Sequence, residues 1–172
     1  EPAWLTFNAG GVLYLIDISE VRRDIALDEM GGFHVSDTYH IINKAIVALY
    51  NIKIGLPQGA YDVFARDALG SLGKPQVEPE KQNVTVYPNV TMTFRDALTT
   101  GQAVEFTLNY KLPWENYINQ QGFREFNLNF TFLERFDWVV RKLTVSITLP
   151  NGAQFVPDLS SMDPDVVNKG VF

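Results

Sequence analysis

Few residues in this chain are of types that do chemistry, and their spacing tests each of them. Two histidines, His34 and His40, flank Asp37. Six positions along a strand span about 20 Å. The trio could meet at one metal ion only if the chain folded back between them. Otherwise they are two partly exposed strand histidines. Asp158, Asp163 and Asp165 form an acidic tail, DLSSMDPD. Oxygen-rich clusters can hold Ca²⁺, but this spacing departs from an EF-hand loop and Pro164 interrupts it, so a solvated tail is expected. Glu78 and Glu80 sit with Lys74 and Lys81 in a Pro-rich stretch and read as loop charges. There is no G-x-S-x-G, no H-E-x-x-H, no phosphate-binding glycine loop and no dinucleotide fingerprint. No catalytic or metal-binding residue is nominated, and no cofactor is expected.

Two other groups point to recognition rather than reaction. Trp114, Tyr117 and Phe123 surround a polar loop, PWENYINQQGF. Exposed aromatics beside amide side chains stack on sugars or anchor a protein partner. The same rings could instead cap the end of a β core. As a binding surface, the nominated residues are Trp114, Glu115, Asn116, Tyr117 and Asn119. Three N-x-T sequons follow: Asn83-Val-Thr85, Asn89-Val-Thr91 and Asn129-Phe-Thr131. In an exported protein Asn83, Asn89 and Asn129 are candidate glycan acceptors. Asn and Thr are also simply what the wet face of a strand uses.

The elements that must position these groups are strands. Residues 103–153 hold three alternating runs. Val104, Phe106, Leu108, Tyr110 and Leu112 oppose Glu105, Thr107, Asn109 and Lys111. Phe126, Leu128, Phe130 and Phe132 oppose Asn127, Asn129 and Thr131. Leu143, Val145, Ile147 and Leu149 oppose Lys142, Thr144, Ser146 and Thr148. Successive strand side chains point to opposite faces, so each run predicts a half-buried strand. Residues 11–18 (GVLYLIDI) are apolar on both parities, as in a strand covered on both faces. Gly31-Gly32 predicts a hairpin turn between residues 25–27 and 33–42. Residues 45–56 predict a strand, with or without a bulge, and 61–68 another. Residues 36–49 and the tail after Pro157 also admit a turn or two of helix.

Residues 70–81 (GSLGKPQVEPEK) form the candidate linker or long loop. In the next run, residues 83–94, Pro88 removes a ladder donor, which predicts an edge strand or a bulge. IKIGLPQGA at 52–60 and VSITLPNGA at 145–153 echo one another. The shared pattern is a strand-ending turn, or the trace of a duplication with its seam near 70–81.

Composition bounds the function. The 172 residues are 46% apolar, enough for one domain that buries roughly 70% of its unfolded surface. Net charge is −6 with no basic stripe, which disfavours nucleic acid and a polybasic lipid contact. The absence of cysteine excludes disulfides and thiolate metal sites. No apolar run approaches the ~20 residues that span a bilayer. The chain begins at Glu1 and ends in a polar segment. It is expected to be a piece of a longer, membrane-anchored protein, touching the membrane only through a segment outside this chain.

A family resemblance runs through these elements. Tyr110-Lys-Leu-Pro113, then Glu115 and Tyr117, then a strand ending near Phe132, resemble the luminal region of the ribophorin I family. The strand and Leu-Pro-x-Gly-Ala turn of residues 143–153 resemble that family's, as do Ile52-Lys-Ile-Gly-Leu-Pro57, Asp62-Val63, Arg66-Asp67 and Gly70 in order. Ile18-Ser-Glu-Val21 and Ile25-Ala-Leu27 resemble its first hairpin. Coverage is about residues 16–154, the family's second luminal domain only. The resemblance implies a non-catalytic subunit of the oligosaccharyltransferase complex, lying outside the cytoplasm in the endoplasmic reticulum lumen or at the cell exterior. A divergent, archaeal relative would fit the same pattern.

The expectation is therefore an all-β, antiparallel sandwich-like single domain with little helix. It would support protein N-glycosylation through contacts with protein or glycan. Two alternatives stand beside it. One is an exported adhesion or cell-surface sandwich; the other is the β-domain of a larger enzyme.

Overall fold

The computed structural model describes residues 15–78, 88–131 and 138–154. Strand β1 (Ile16–Leu27) turns into β2 (Phe33–Asn43), and β3 (Leu49–Gly55) and β4 (Tyr61–Asp67) follow. Two short strands come next, β5 (Gly70–Ser71) and β6 (Gln76–Val77), and then β7 (Asn89–Leu98) and β8 (Ala103–Leu112). A single helical turn, α1 (Trp114–Tyr117), leads into β9 (Ile118–Gly122), β10 (Glu125–Leu128) and finally β11 (Leu143–Thr148).

Six strands form a large sheet in the order β11-β1-β2-β8-β4-β5, three form a small one, β3-β7-β6, and β9 and β10 form a ribbon. The sheets pack as a sandwich. Val21, Ile25, Tyr39, Phe106 and Leu108 of the large sheet share one core with Ile52, Ile54, Val90, Met92 and Phe94 of the small. The expected all-β sandwich is present. Among the described strands every pairing is antiparallel except β1 with β11, which run parallel from Val21↔Leu143 to Ala26↔Thr148.

The alternation of residues 104–112 matches β8, whose Phe106, Leu108, Tyr110 and Leu112 are all buried. The 126–132 run does not form one half-buried strand. The short β10 ends at Leu128, residues 129–131 continue outside any strand, Phe132 lies outside the described residues, and Phe126 is 54% exposed on the ribbon. β1 continues through the charged stretch Arg22-Arg23-Asp24, which lies between the 11–18 and 25–27 runs and belongs to neither. A bulge explains this. Ser19 is an extra residue between Ile18↔Ile41 and Glu20↔His40, so Ile18 and Val21 both face inward. Of the 11–18 run, residues 11–14 lie outside the described residues.

Residues 36–49 make no helix. Ser36 to Asn43 stay in β2, and a corner at 45–47 crosses to the small sheet. Buried Asn43 holds that corner. Its amide donates to the carbonyls of Val47 (2.8 Å) and Leu98 (2.7 Å), and its oxygen accepts from Ala45 N–H (2.9 Å). The tail after Pro157 lies outside the described residues. The expected loop at 70–81 carries β5, paired with β4, and β6, paired with β7, so it steps from one sheet to the other. Pro88 precedes β7 rather than interrupting it, and its carbonyl accepts Leu56 N–H at 2.7 Å. β7 is therefore the middle strand of its sheet, not an edge. Its irregularity lies at the far end, between Thr93 and Leu98.

The two Leu-Pro-x-Gly-Ala segments form the same turn. Ala60 N–H meets the Pro57 carbonyl at 3.2 Å and Ala153 N–H the Pro150 carbonyl at 3.0 Å. Gly59 and Gly152 take φ of 77° and 78°, the positive value that the third position of a type II turn requires. Their surroundings differ. A Cβ on Gly59 would lie 2.9 Å from Pro113 Cγ, whereas one on Gly152 would meet nothing within 4 Å. Gly152→Ala is expected to cost about 1 kcal/mol for the left-handed backbone alone. Gly59→Ala should cost roughly twice that, because Pro113 must also move. Denaturant titration of the two variants checks the ranking; equal losses would mean that the Pro113 contact yields freely.

Candidate functional site

The nominated surface is built where β8 ends. Pro113 stops the ladder, and its carbonyl accepts Asn116 N–H at 3.2 Å, closing α1. Ile118 N–H then bonds the Trp114 carbonyl, and the chain returns to strand. This one turn sorts the five residues. Trp114 and Tyr117 lean on the core. The Tyr117 ring meets Phe33 edge-on at 5.7 Å and its hydroxyl donates to the Gln58 carbonyl at 2.6 Å. Trp114 meets Phe126 edge-on at 6.1 Å. Glu115, Asn116 and Asn119 are exposed. The rings thus close one end of the sandwich and the polar side chains stand outside them. Phe123 does not join the group. It is 88% exposed at the ribbon tip, with the Arg124 guanidinium 5.3 Å above its ring.

The histidines lie on one face of β2 and Asp37 on the other. His34 contacts Asp28 at 3.2 Å, while the His40 ring bonds the Ser19 hydroxyl. Asp28 is held below the usual carboxylate range, first by the Gly32 N–H and then by His34. Among the described residues no three acidic or histidine side chains gather as a metal site. Glu78 pairs with Lys53 and accepts from the Asn89 amide at 3.2 Å. Glu80, Asn83, Asp158, Asp163 and Asp165 lie outside the described residues. Asn89 opens β7 half-buried, whereas Asn129 follows β10 and is exposed.

A polar cluster that the sequence reading missed lies inside the sandwich. Arg23 and Asp37 are cross-strand partners, exposed by only 2% and 1%. Nε and Nη2 of Arg23 donate to the two carboxylate oxygens of Asp37, each at 2.7 Å. The Tyr110 hydroxyl donates to Asp37 Oδ2 at 2.8 Å and accepts from Arg23 Nη2 at 3.2 Å. Arg23 Nη1 reaches the Thr131 carbonyl at 3.0 Å. Burial by itself would lower the Arg23 pKa, but the hydrogen bonds and charge of Asp37 outweigh it and the net shift is upward. Tyr110 is pushed well above its ordinary value, by burial first and by Asp37 next, so it stays a neutral donor. The cleft beside the cluster, lined by Tyr110, Tyr117 and Phe130, leaves no room for a water molecule. With its groups bonded to one another, the cluster works as a clamp across three strands. Its sequence signal was parity: Arg23 shares the buried side with Val21 and Ile25, and Asp37 with Val35 and Tyr39.

A second cleft of about 280 Å³ opens where β7 turns into β8. Leu72, Phe94, Leu98 and Val104 line it, and its rim holds the paired Arg95 and Asp67.

The Ribophorin I family model matches residues 32–165. Dolichyl-diphosphooligosaccharide–protein glycosyltransferase subunit 1B of Arabidopsis thaliana is 28% identical over 175 residues, covering 88% of this chain. Subunit 1A of the same plant is 22% identical over 86% of the chain. The chain spans 36% and 26% of the lengths of these two relatives. Among solved structures, an M1 zinc metallopeptidase from Deinococcus radiodurans overlays with a TM-score of 0.39 at 16% identity, covering 56% of this chain and 20% of its own. Native yeast LTA4 hydrolase overlays with a TM-score of 0.38 at 12% identity, covering 58% and 15%. Likenesses that low say nothing of activity. The family model runs from the β1–β2 turn through β11 and past it, and its match bears out the resemblance carried by Tyr110 to Tyr117 and by residues 143–153: the chain belongs to the Ribophorin I family.

Proposed function

We propose that this chain is a non-catalytic, extracytoplasmic domain of an oligosaccharyltransferase accessory subunit, acting through contact with other proteins of that complex. The observation that carries the reading is the match over 88% of the chain to a relative named as a subunit of that transferase. The clamp of Arg23, Asp37 and Tyr110 is consistent with it, because its charged groups are spent on one another rather than offered to a substrate. No helix among the described residues is long and apolar enough to cross a membrane. Anchoring is assigned to another part of the full-length protein.

Within this reading the contact surface is α1 and the start of β9. Glu115, Asn116 and Asn119 supply polar contacts, while Trp114 and Tyr117 hold them in place. Amides beside aromatic edges also suit a glycan. The test is capture of the tagged full-length protein from native membranes, followed by mass spectrometry. The catalytic oligosaccharyltransferase subunit should be recovered well above a control bait. Glu115→Arg combined with Asn119→Arg should reduce that recovery tenfold or more and leave the melting temperature within about 2 °C, since exposed sites contribute little to stability. Recovery of only envelope or surface-layer proteins would replace the accessory-subunit reading with adhesion. Undiminished recovery in the double variant would move the contact surface elsewhere.

A further inference from the structure

Of the two sequons within the described residues, one is built to carry a sugar. The geometry points to Asn129 as an N-glycosylation acceptor, bearing an oligosaccharide in the mature protein. This rests on the extracytoplasmic reading above, because only there does a chain meet the donor. The backbone of the sequon is held from within. Asn129 N–H donates to the Tyr117 carbonyl at 2.8 Å, Phe130 packs against the core, and the Thr131 carbonyl accepts Arg23 Nη1 at 3.0 Å. The middle residue is partly buried against the core, and the residues on either side of it, Asn129 and Thr131, are exposed. The Asn129 side-chain amide enters no hydrogen bond among the described residues. A large hydrated substituent there would break no side-chain hydrogen bond among the described residues.

Asn89 is the contrasting case. It is half-buried at the start of a middle strand, and its amide already donates to Glu78 Oε2 at 3.2 Å. Its carbonyl accepts Glu78 N–H at 2.8 Å, and Glu78 also pairs with Lys53. A sugar on that amide would press against these contacts and against β6 alongside. The fold thus separates two sequons that sequence alone leaves equivalent.

The chemistry is a glycosyl transfer by a separate enzyme. The amide nitrogen of Asn129 forms a bond to the anomeric carbon of a polyprenyl-diphosphate-linked oligosaccharide. The anomeric carbon–oxygen bond breaks, and its electrons leave with the polyprenyl diphosphate. One amide proton is released to the transferase's base. Asn129 is one backbone hydrogen bond from Tyr117, so the sugar would flank the Glu115–Asn116 surface.

The test uses the full-length protein, isolated from native membranes with a terminal tag that carries an added sequon. Trypsin releases residues 125–135 (EFNLNFTFLER), which hold only the Asn129 sequon, and residues 82–95, which hold the other two. Intact-glycopeptide mass spectrometry should find sugar on most copies of the 125–135 peptide and none at Asn89. Asn129→Gln and Thr131→Ala should each leave that peptide bare with an unchanged melting temperature, since the Arg23 contact uses the Thr131 backbone. A bare 125–135 peptide alongside a glycosylated tag would overturn the assignment and leave the extracytoplasmic reading intact. A bare tag would overturn that reading and this assignment with it. Sugar persisting in Thr131→Ala would overturn the sequon mechanism.

Discussion

Replacing Asp37 with alanine is expected to lower the unfolding free energy by about 3–5 kcal/mol. The size follows from what is left behind. Arg23 is 2% exposed and directs two of its donors at the lost carboxylate. Tyr110 loses its acceptor in the same step. A buried guanidinium with no counter-charge carries the cost of desolvation. The triple variant Arg23→Met/Asp37→Leu/Tyr110→Phe removes both charges and the hydroxyl bonded to them together. It should recover most of the loss, because a buried ion pair and a well-packed apolar pair of similar volume are often close in energy. Urea denaturation of the three proteins measures this. A loss below about 1 kcal/mol for Asp37→Ala would mean that the guanidinium reaches solvent and that the clamp is not sealed.

Phe106→Ala should cost a similar amount, about 3–5 kcal/mol, for a different reason. Phe106 is 1% exposed and stacks on Tyr39 at 5.3 Å within the large sheet. It also meets Phe94 of the small sheet edge-on at 5.9 Å. Its removal leaves a cavity between the layers and breaks two aromatic contacts, each worth about 0.5–1.5 kcal/mol beyond area alone. Phe123→Ala is the matched control. That ring is 88% exposed, so its loss should stay within about 0.5 kcal/mol. A Phe106 variant that unfolds like wild type would show that the sheets close over the gap.

Much of the architecture is written in parity. β8 and β2 read as alternation because one face of each meets the core and the other meets water. The Gly31-Gly32 turn is legible because Gly31 takes φ of 83°. What parity could not deliver came from places where it is interrupted or misused. The Ser19 bulge switches the buried side of β1 in mid-strand, so its two halves look unrelated. Arg23 and Asp37 occupy inward positions with charges that pattern reading assigns to solvent, and only their register opposite one another shows why they are tolerated. Asn43 is a single polar residue whose role depends on carbonyls at Val47 and Leu98, the second of them 55 positions away. The candidate surface was half legible. Residue type singled out α1, but which of its side chains lean inward depends on Phe33, Gln58 and Phe126, brought together only by the fold.

The parallel pairing of β1 and β11 has a mechanical consequence. The chain runs into β1 at one pole of the large sheet and out of β11 at the opposite pole. Tension applied at Leu15 and Ala153 would slide these two strands along each other rather than peel them apart. The load would fall on the whole ladder from Val21↔Leu143 to Ala26↔Thr148 at once, with the Arg141–Asp17 and Lys142–Glu20 pairs sharing it. Rupture then requires several hydrogen bonds to fail together, so resistance to pulling is set by a shear barrier and not by the equilibrium stability of the fold. A domain wired this way behaves as a stiff link between whatever is joined to its two poles.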